Sequence, residues 1–447
     1  MKKILFIIPY IPYPLDSGGN QAFFNMVNYI RNRMSVSILL CSKSEEHDKN
    51  IVALKKLWAN VDFFVYKWPK KKSVHIEVRN PLYYNVLKRV KASVERKMRR
   101  QIVNMGVDME LGLDPVRENS ALLRSVFEPL ESGYAQYICQ VIKQGYDIIQ
   151  VEFYELISVG YLLPENVQTI FVHHELRYVR NANEMSLFEE MTDEDRMLFS
   201  VAKDYERAAL LKYKHVIALT EVDRQLLIDF LGRKERIYAS PAVVQMSDTS
   251  IEEFTPAITH RLTFVGSGDH YPNLDAITWF CKEVAPYLHK QGFSFDFRVA
   301  GRWDCSHIVR LSSVCPEIKF VGYMEDLSDF LKGSIALVPI RIGSGLRMKI
   351  LDAVSLGIPF VTTSKGVEGI SFNDNEECLK ADTAMDFADA IIRLANDSNM
   401  QCRLVLQAKR KLEDLYDWKK MLEQRIAIYS HILNFLNFYF EYLGIFV

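Results

Sequence analysis

Residues 339–363, PIRIGSGLRMKILDAVSLGIPFVTT, decide the fold, because they predict a strand end, a glycine-rich turn, an amphipathic helix and a second strand. The preceding apolar run, Ile335–Val338, is typical of a buried parallel strand. Apolar residues recur at helical spacing from Leu346 to Leu356, and Gly357 follows where a glycine commonly ends a helix. The pattern predicts an α/β protein with a doubly wound parallel sheet.

Polar residues at the start of this predicted helix indicate an anion site. Gly343 and Gly345 allow a sharp turn and a close approach to a ligand, and Arg347 and Lys349 follow. A helix N-terminus carries unpaired amides and partial positive charge, so it attracts anions. A carboxylate one turn further, Asp352, is suited to ribose hydroxyls. From local pattern alone, an ordinary βαβ unit without a ligand explains the residues equally well.

A family pattern favours the ligand site. Residues 352–361, DAVSLGIPFV, resemble the second half of E-G-F-G-x-x-x-x-E-A-x-A-x-G-x-P-V, a pattern of the GT-B glycosyltransferases, particularly glycosyltransferase family 4. The family's two glutamates align with Ser344 and Asp352. A subgroup with G-S-G-x-R-x-K-I-L-E/D resembles the chain more closely, which implies that Arg347 and Lys349 hold the diphosphate of a nucleotide-sugar donor. The resemblance assigns donor binding here to Ser344, Gly345, Arg347, Lys349 and Asp352.

Composition and charge exclude several classes of protein. The chain has 447 residues, of which 49% are hydrophobic and 25% charged, as expected for a globular protein of about two or three domains. Its net charge of −1 gives no global electrostatic case for nucleic acid as a partner. The seven cysteines have no C-x-x-C spacing, which argues against zinc and disulfides and favours a reducing, cytoplasmic compartment.

The N-terminus predicts the first strand of a doubly wound domain. Its apolar run, from about Lys3 to Ile8, is short, is followed by prolines and lacks a small-residue cleavage site, so a strand explains it better than a signal peptide. Gly18 and Gly19 follow, then a helix from about Gln21 and a second strand. The glycines form either a tight turn only or the edge of a ligand cleft. The pattern P-x-x-x-G-G resembles the family's, which implies that this pair faces the donor.

A histidine pair follows another predicted strand, Thr169–Val172. His173 and His174 at its carboxyl end are expected near the cleft, where a histidine can donate to a hydroxyl or phosphate or move a proton. A structural or surface role is the alternative, and no third ligand at recognisable spacing supports a metal. The family often carries a histidine after this strand, which implies a catalytic role for His173 or His174 without distinguishing them.

The second half of the chain repeats the strand–glycine–helix pattern. Polarity rises between residues 240 and 258, which places a domain boundary at 240–241. Strand Arg261–Val265 and Gly266 then open a second domain. Gly266 resembles a donor-binding glycine of the family, in which an Arg and a Lys soon follow it to hold the diphosphate. No Arg or Lys follows Gly266 before Phe280 in this chain. This absence favours Arg347 and Lys349 as the residues that bind the diphosphate. Glu368, after the last quoted strand, is predicted to accept from donor hydroxyls or to lie in solvent.

Two segments suggest contact with a membrane surface. Leu87–Val103 combines a basic face with an apolar stripe, which predicts a solvated helix or one lying on anionic lipid. The resemblance to GT-B proteins implies that the apolar tail, residues 426–447, begins with a helix that packs back on the first domain. Its aromatic end, Phe435–Val447, is instead compatible with burial, dimerisation or a bilayer surface.

The resemblance implies a GT-B architecture, with Rossmann-like domains at 1–240 and 241–425 facing a cleft and a tail at 426–447. It implies a retaining glycosyltransferase that moves a sugar, of hexose type, to a glycan or lipid-linked acceptor without metal or cofactor. Polysaccharide or glycolipid synthesis at the inner membrane face is the expected setting. A sugar-nucleotide epimerase of the same fold and a non-catalytic binding protein remain alternatives.

Overall fold

A computed structural model of the chain describes residues 1–15, 18–69, 117, 119–241, 259–324 and 326–442, with only the backbone from residue 434 onward. The basic segment Leu87–Val103 and the end of the aromatic tail therefore lie outside the described residues. The predicted boundary at 240–241 stands just before another such gap.

The first domain contains a seven-stranded parallel sheet. Its strands are β1 Lys3–Ile7, β2 Ser35–Ser42, β3 Val61–Lys67, β4 Ile148–Glu152, β5 Gln168–His173, β6 His215–Ala218 and β7 Ile237–Ala239. They are arranged in the order β3-β2-β1-β4-β5-β6-β7. The order reverses beside β1, as in doubly wound sheets, so the cleft forms at the carboxyl ends of β1, β4 and β5.

Helices cover both faces of this sheet. They are α1 Gly18–Ile30, α2 Glu45–Leu57, α3 Ser132–Ile142, α4 Arg177–Met185, α5 Asp193–Leu210 and α6 Glu221–Leu231, with 3₁₀ segments at Leu122–Ser125 and Tyr154–Leu162. Capping residues fix several helix starts: Thr192 and Asp195 form a capping box at α5, and Thr220 caps α6.

The second domain contains a six-stranded parallel sheet in the order β10-β9-β8-β11-β12-β13. Its strands are β8 Arg261–Val265, β9 Asp296–Ala300, β10 Ile318–Gly322, β11 Ile335–Val338, β12 Phe360–Thr362 and β13 Leu379–Lys380. Its helices are α7 Tyr271–Trp279, which continues through a π-helical turn at Phe280–Val284 into α8 Ala285–Lys290, then α9 Cys305–Val314, α10 Ser328–Leu331, α11 Met348–Ser355, α12 Ala384–Asn396 and α13 Ser398–Leu415.

Burial explains why the local patterns predicted these sheets. Every residue of β4, β5 and β11 is buried, as expected for parallel strands covered by helices on both faces. The predicted doubly wound α/β architecture is confirmed. Helix α11, predicted from Leu346, begins at Met348, because Arg347 adopts an extended backbone and serves as its N-cap residue.

The last helix, α14 Trp418–Tyr442, returns to the first domain. The Nε of Arg425 donates to the hydroxyl of Ser240 at 2.8 Å, and the hydroxyl of Tyr429 donates to the side-chain oxygen of Gln150 at 2.7 Å. Within the described ranges, no helix combines the length and apolar content needed to cross a membrane.

Candidate functional site

The loop after β11 joins the two domains. We call Gly343, Ser344 and Gly345 the glycine loop. The backbone N–H of Leu176, at the start of α4, donates to the Ser344 hydroxyl at 2.7 Å, and the Gly343 N–H donates to the side-chain oxygen of Asn183 at 3.2 Å. Ser344 is only 3% exposed. Its hydroxyl therefore accepts a hydrogen bond from the first domain. The resemblance implied that Ser344 binds the nucleotide sugar.

Gly345 fits this junction because it has no side chain. Its φ of 84° favours glycine, and a Cβ there would collide with the backbone carbonyl oxygen of His174. Its N–H donates to a carboxylate oxygen of Asp223 at 3.1 Å, which also accepts from the Thr220 hydroxyl at 2.7 Å. Burial raises the pKa of Asp223. The start of α6 thus also contacts the second domain.

Arg347 has unused hydrogen-bonding capacity at the centre of the site. Its Nη1 donates to the carbonyls of Ser344 and Gly345. Its Nε and Nη2 are buried, and neither has a hydrogen-bond partner among the residues that the structure describes. Burial lowers the pKa of Arg347, against the fields of Glu175, Glu368 and Asp223. Buried donors of a guanidinium normally meet an acceptor, so this edge is suited to an anion.

Lys349 lies one residue into α11. Its Nζ is 4.1 Å from the centroid of the Phe264 ring and donates to the side-chain oxygen of Asn273 at 2.8 Å. Burial and the adjacent Arg347 lower its pKa to about 7, although Asp352 opposes them. An anion bound here would stabilise the charged ammonium form.

Gly266 acts on the site through Asn273. A Cβ at Gly266 would lie 2.6 Å from the side-chain nitrogen of Asn273, which donates to the carbonyl of Ser267 at 2.9 Å. The missing side chain therefore leaves room for the amide that holds Lys349. Gly266 supports a predicted donor-binding residue rather than offering a group of its own.

Two carboxylates predicted to bind donor hydroxyls flank these cations. Burial raises the pKa of Asp352, on α11, to about 6, although Lys349 opposes the shift. Glu368 accepts from the Nζ of Lys365 through both oxygens, at 2.9 and 2.8 Å. Glu368 also contributes to the field at Arg347, so it lies in the same electrostatic neighbourhood.

The two histidines have different environments. His173 is 2% exposed, and its Nε2 lies 2.7 Å from a carboxylate oxygen of Glu206. Glu206 also accepts the backbone N–H groups of Arg177 and Tyr178, at 3.0 and 2.7 Å, and so caps α4. His173 therefore lies inside the first domain, where it supports the start of α4.

His174 reaches the cleft. Its side chain is 20% exposed, and its Nε2 is 2.9 Å from a carboxylate oxygen of Glu152, the last residue of β4. Its ring stacks on Phe153, with 3.7 Å between centroids. With Nε2–H donating to Glu152, the Nδ1 lone pair is left to accept a hydrogen bond from a hydroxyl.

A third carboxylate, Glu175, lies beside the glycine loop. Its Oε1 is 2.8 Å from where a Cβ of Gly343 would stand, and its Oε2 accepts from Arg180 at 2.9 Å. Burial alone would raise its pKa, but Arg180, His270 and Arg177 hold the pKa of Glu175 at about 2. Glu175 is therefore ionised and contributes negative charge opposite Arg347.

A cavity of about 660 Å³ takes walls from both domains, and neither Glu175 nor Arg347 lines it. Tyr154, Arg177 and Arg180 line it from the first domain, and His270 and Asp304 line it from the second. A space of this size, with mixed polar and aromatic walls, is suited to a small polar ligand.

Gly18 and Gly19 lie in the first turn of α1, just beyond the carboxyl end of β1. The side chains of the next two residues tie this turn to the preceding loop: Asn20 donates to the carbonyl of Pro14, and Gln21 to that of Leu15. The hydrogen bonds described above between the glycine loop and the first domain do not involve this turn.

Among the described residues, no three histidine, cysteine or acidic side chains are grouped so as to hold a metal. One Asp-x-Asp sequence, Asp193-Glu194-Asp195, lies in the first turn of α5. There Asp195 accepts from Thr192 and Arg117.

Sequence reasoning missed Glu152, Asp223 and Asn273 as parts of the site. A signal existed for Glu152, because it ends β4 while its register partner Val172 directly precedes the histidine pair on β5. Polar residues at the ends of adjacent parallel strands meet at one edge. Asp223 lies in the first turn of α6, which Thr220 caps, and its contact with Gly345 comes from the other domain.

Comparison with known proteins finds a family model that matches part of the chain. Residues 259–397, which include the glycine loop and α11, match the family model "Glycosyl transferases group 1". A protein of Klebsiella pneumoniae described as an uncharacterized 44.6 kDa protein in the cps region is 24% identical over 169 residues. That match covers 36% of this chain and 44% of the relative, so it spans less than half of the relative's length.

Solved structures match nearly the whole chain. Staphylococcus aureus TarM, in complex with fondaparinux, alpha-GlcNAc-glycerol and UDP, has a TM-score of 0.64 at 12% identity, over 97% of this chain and 100% of that one. Anabaena HepE with UDP and glucose has a TM-score of 0.62 at 11% identity, over 96% and 100%. Sucrose-phosphate synthase of Thermosynechococcus elongatus has a TM-score of 0.61 at 13% identity, over 97% of this chain and 100% of that one. The predicted resemblance is confirmed: this chain has the GT-B fold, and its second domain carries the match to the group 1 glycosyl transferases.

Proposed function

We propose that this protein transfers a sugar from a nucleotide-diphosphate donor to an acceptor hydroxyl. The observation that supports this most strongly is the buried, unpartnered Nε–Nη2 edge of Arg347 beside Lys349 at the start of α11. A guanidinium edge binds two oxygens at once, an ammonium supplies a second charge, and the helix N-terminus adds its amides. A diphosphate satisfies all three.

The rest of the donor follows from the neighbours of these cations. Asp352 lies one turn along α11, where a carboxylate can accept the hydroxyls of a ribose. The transferred sugar then points from the diphosphate toward the first domain. His174 meets it there, held by Glu152 so that its Nδ1 contacts a sugar hydroxyl.

The proposed reaction retains the anomeric configuration. The bond from the anomeric carbon to the diphosphate oxygen breaks, and the acceptor oxygen bonds to the same face of that carbon. The acceptor proton passes to the leaving diphosphate oxygen. Arg347, Lys349 and the amides of α11 stabilise the charge that develops on this leaving group. We assign no protein nucleophile, and we propose that these groups suffice without a bound metal or cofactor.

The comparisons guide the choice of substrates. TarM and HepE were solved with UDP, and the Klebsiella pneumoniae relative is described from a cps region. UDP-sugars are therefore the first donors to test. We propose a hexosyl transfer to a glycan or lipid-linked acceptor in surface polysaccharide or glycolipid synthesis, in the cytoplasm or at the inner membrane face, and not on nucleic acid.

The test has two stages. Thermal stability is measured against a panel of nucleotide sugars, since a ligand that binds only the native state raises the melting temperature. The donor that does so is incubated with candidate acceptors with and without EDTA, and the product's anomeric configuration is read by NMR. The proposal expects a product of retained configuration in both conditions. Conversion of the donor sugar without acceptor would indicate an epimerase, and binding without turnover a non-catalytic protein.

A further inference from the structure

Tyr429, on the last helix, is connected to His174 by three successive hydrogen bonds. Its hydroxyl donates to the side-chain oxygen of Gln150 at 2.7 Å. The Gln150 amide nitrogen donates to one carboxylate oxygen of Glu152 at 2.6 Å. The other Glu152 oxygen lies 2.9 Å from the Nε2 of His174. The series runs from a helix that follows the second domain to the histidine that the first domain presents to the cleft.

Burial makes the loss of any hydrogen bond in this series costly. Tyr429 is 1% exposed, Gln150 0% and Glu152 3%. In such surroundings polar groups polarise one another and an unpaired one is costly. Glu152 is held by one oxygen at Gln150, which fixes how its other oxygen meets the imidazole.

The position of the Gln150 amide depends on the tyrosine. A carboxylate only accepts, so Glu152 takes the amide nitrogen, and the amide oxygen is left facing Tyr429. The Tyr429 hydroxyl donates to that oxygen. Tyr429 therefore fixes the place from which the amide nitrogen holds Glu152.

We propose that Tyr429 is a positioning residue for His174, acting through Gln150 and Glu152. This inference rests on the proposed function, in which His174 contacts the transferred sugar. It gives α14 a role beyond packing: docking of this helix completes the orientation of a group in the cleft. Arg425, one turn earlier on α14, bonds to Ser240 and also lies close to the Tyr429 hydroxyl.

Tyr429→Phe tests the proposal with a matched control on the same helix. The substitution removes one oxygen and keeps the ring; the hydroxyl also lies 3.7 Å from the sulfur of Met26 and close to Arg425. Ile432→Val removes one methyl group from the buried face of α14 and changes no polar group. We expect Tyr429→Phe to lower kcat about tenfold with donor KM within about twofold, as for a lost buried hydrogen bond. We expect Ile432→Val to lose thermal stability with kcat within about twofold.

A second readout does not depend on turnover. In ¹⁵N-histidine-labelled protein, the Nε2–H resonance of His174 is assigned by its loss in His174→Asn. Tyr429→Phe is expected to shift or broaden that resonance, and Ile432→Val is not. An unchanged resonance in Tyr429→Phe would contradict the proposal. A changed resonance in a protein that transfers no sugar would contradict the proposed function and leave the positioning role intact.

A double-mutant cycle separates positioning from general damage. If Tyr429 acts through His174, then Tyr429→Phe should reduce kcat no further in the His174→Asn background. Equal proportional losses in both backgrounds would show that Tyr429 acts elsewhere and would overturn the inference.

Discussion

The backbone N–H of Leu176 in the first domain donates to the hydroxyl of Ser344 in the second, at 2.7 Å. Ser344 aligns with the first glutamate of the glycosyltransferase pattern that the sequence resembles, and its hydroxyl joins the two domains. Removing the hydroxyl by Ser344→Ala leaves a buried N–H without its partner. We expect a loss of about 1–3 kcal/mol in the free energy of unfolding, measured by urea denaturation.

Ser344→Glu introduces the first glutamate of the resembled glycosyltransferase pattern at a position that is 3% exposed. We expect the larger, charged side chain to separate the glycine loop from α4 and to lower kcat/KM more than Ser344→Ala does. Higher activity in Ser344→Glu would contradict the interdomain role of this serine.

Gly345→Ala tests the closeness of the two domains. A Cβ at Gly345 collides with the carbonyl oxygen of His174, whereas a Cβ at Gly145 meets nothing within 4 Å. The two glycines have nearly equal φ values, 84° and 81°, so both substitutions carry the same backbone strain. We expect Gly345→Ala to lower kcat/KM by at least about tenfold beyond Gly145→Ala, because it also displaces His174. Equal losses of kcat/KM in the two variants would show that backbone strain alone accounts for the loss.

The two histidines are expected to respond differently to substitution. His174→Asn should lower kcat by about 10²-fold while the melting temperature changes little, since the side chain faces the cleft. His173→Asn should mainly lower the melting temperature, because Glu206 loses a buried partner. Steady-state kinetics and thermal denaturation of both variants check this prediction. A larger kcat loss in His173→Asn would reverse the assignment.

Donor binding should take up a proton above neutral pH. The pKa of Lys349 is about 7 in the free protein, far below the 10.5 of an ordinary lysine. A bound diphosphate favours the ammonium form and raises that pKa, so the lysine stays charged in the complex while the free protein loses its proton as pH rises through 7. Affinity should therefore fall from pH 7 to pH 9, by up to about tenfold per unit.

Calorimetry in buffers of different ionisation enthalpy measures this uptake, and we expect it to approach about one proton per nucleotide at pH 8. Lys349→Arg is the matched control, since arginine stays charged throughout this range and should remove the uptake. Equal uptake in wild type and variant would assign the proton to another group.

Local patterns predicted the parts of the fold that local sequence encodes. Strands β8 and β11 have the predicted bounds, because short apolar runs between turn residues are sufficient to mark buried parallel strands. Helix α1, predicted from about Gln21, begins three residues earlier, at Gly18. The glycines thus form the helix's first turn, although glycine usually marks helix ends.

Contacts between distant residues were beyond such patterns. Asp223 and Gly345 are 122 positions apart, and Gln150 and Tyr429 are 279 apart. Periodicity indicates that a residue faces a core or a cleft, yet it does not say which side chain of the other domain it meets. For the same reason the sequence did not separate His173 from His174: the choice depends on Glu206 and Glu152, which reach them from different elements.

Arg347 is proposed to bind the donor diphosphate through the Nε–Nη2 edge that has no partner among the described residues. Calorimetric titration of UDP, GDP, ADP, CDP and dTDP into the wild type and into Arg347→Ala measures this binding, with Arg298→Ala, which removes a surface cation paired with Asp296, as the control. We expect at least one nucleotide to bind the wild type and the control equally well, and to bind Arg347→Ala about 100-fold more weakly. Equal affinity in folded Arg347→Ala, or no binding of any nucleotide to the wild type, would contradict it.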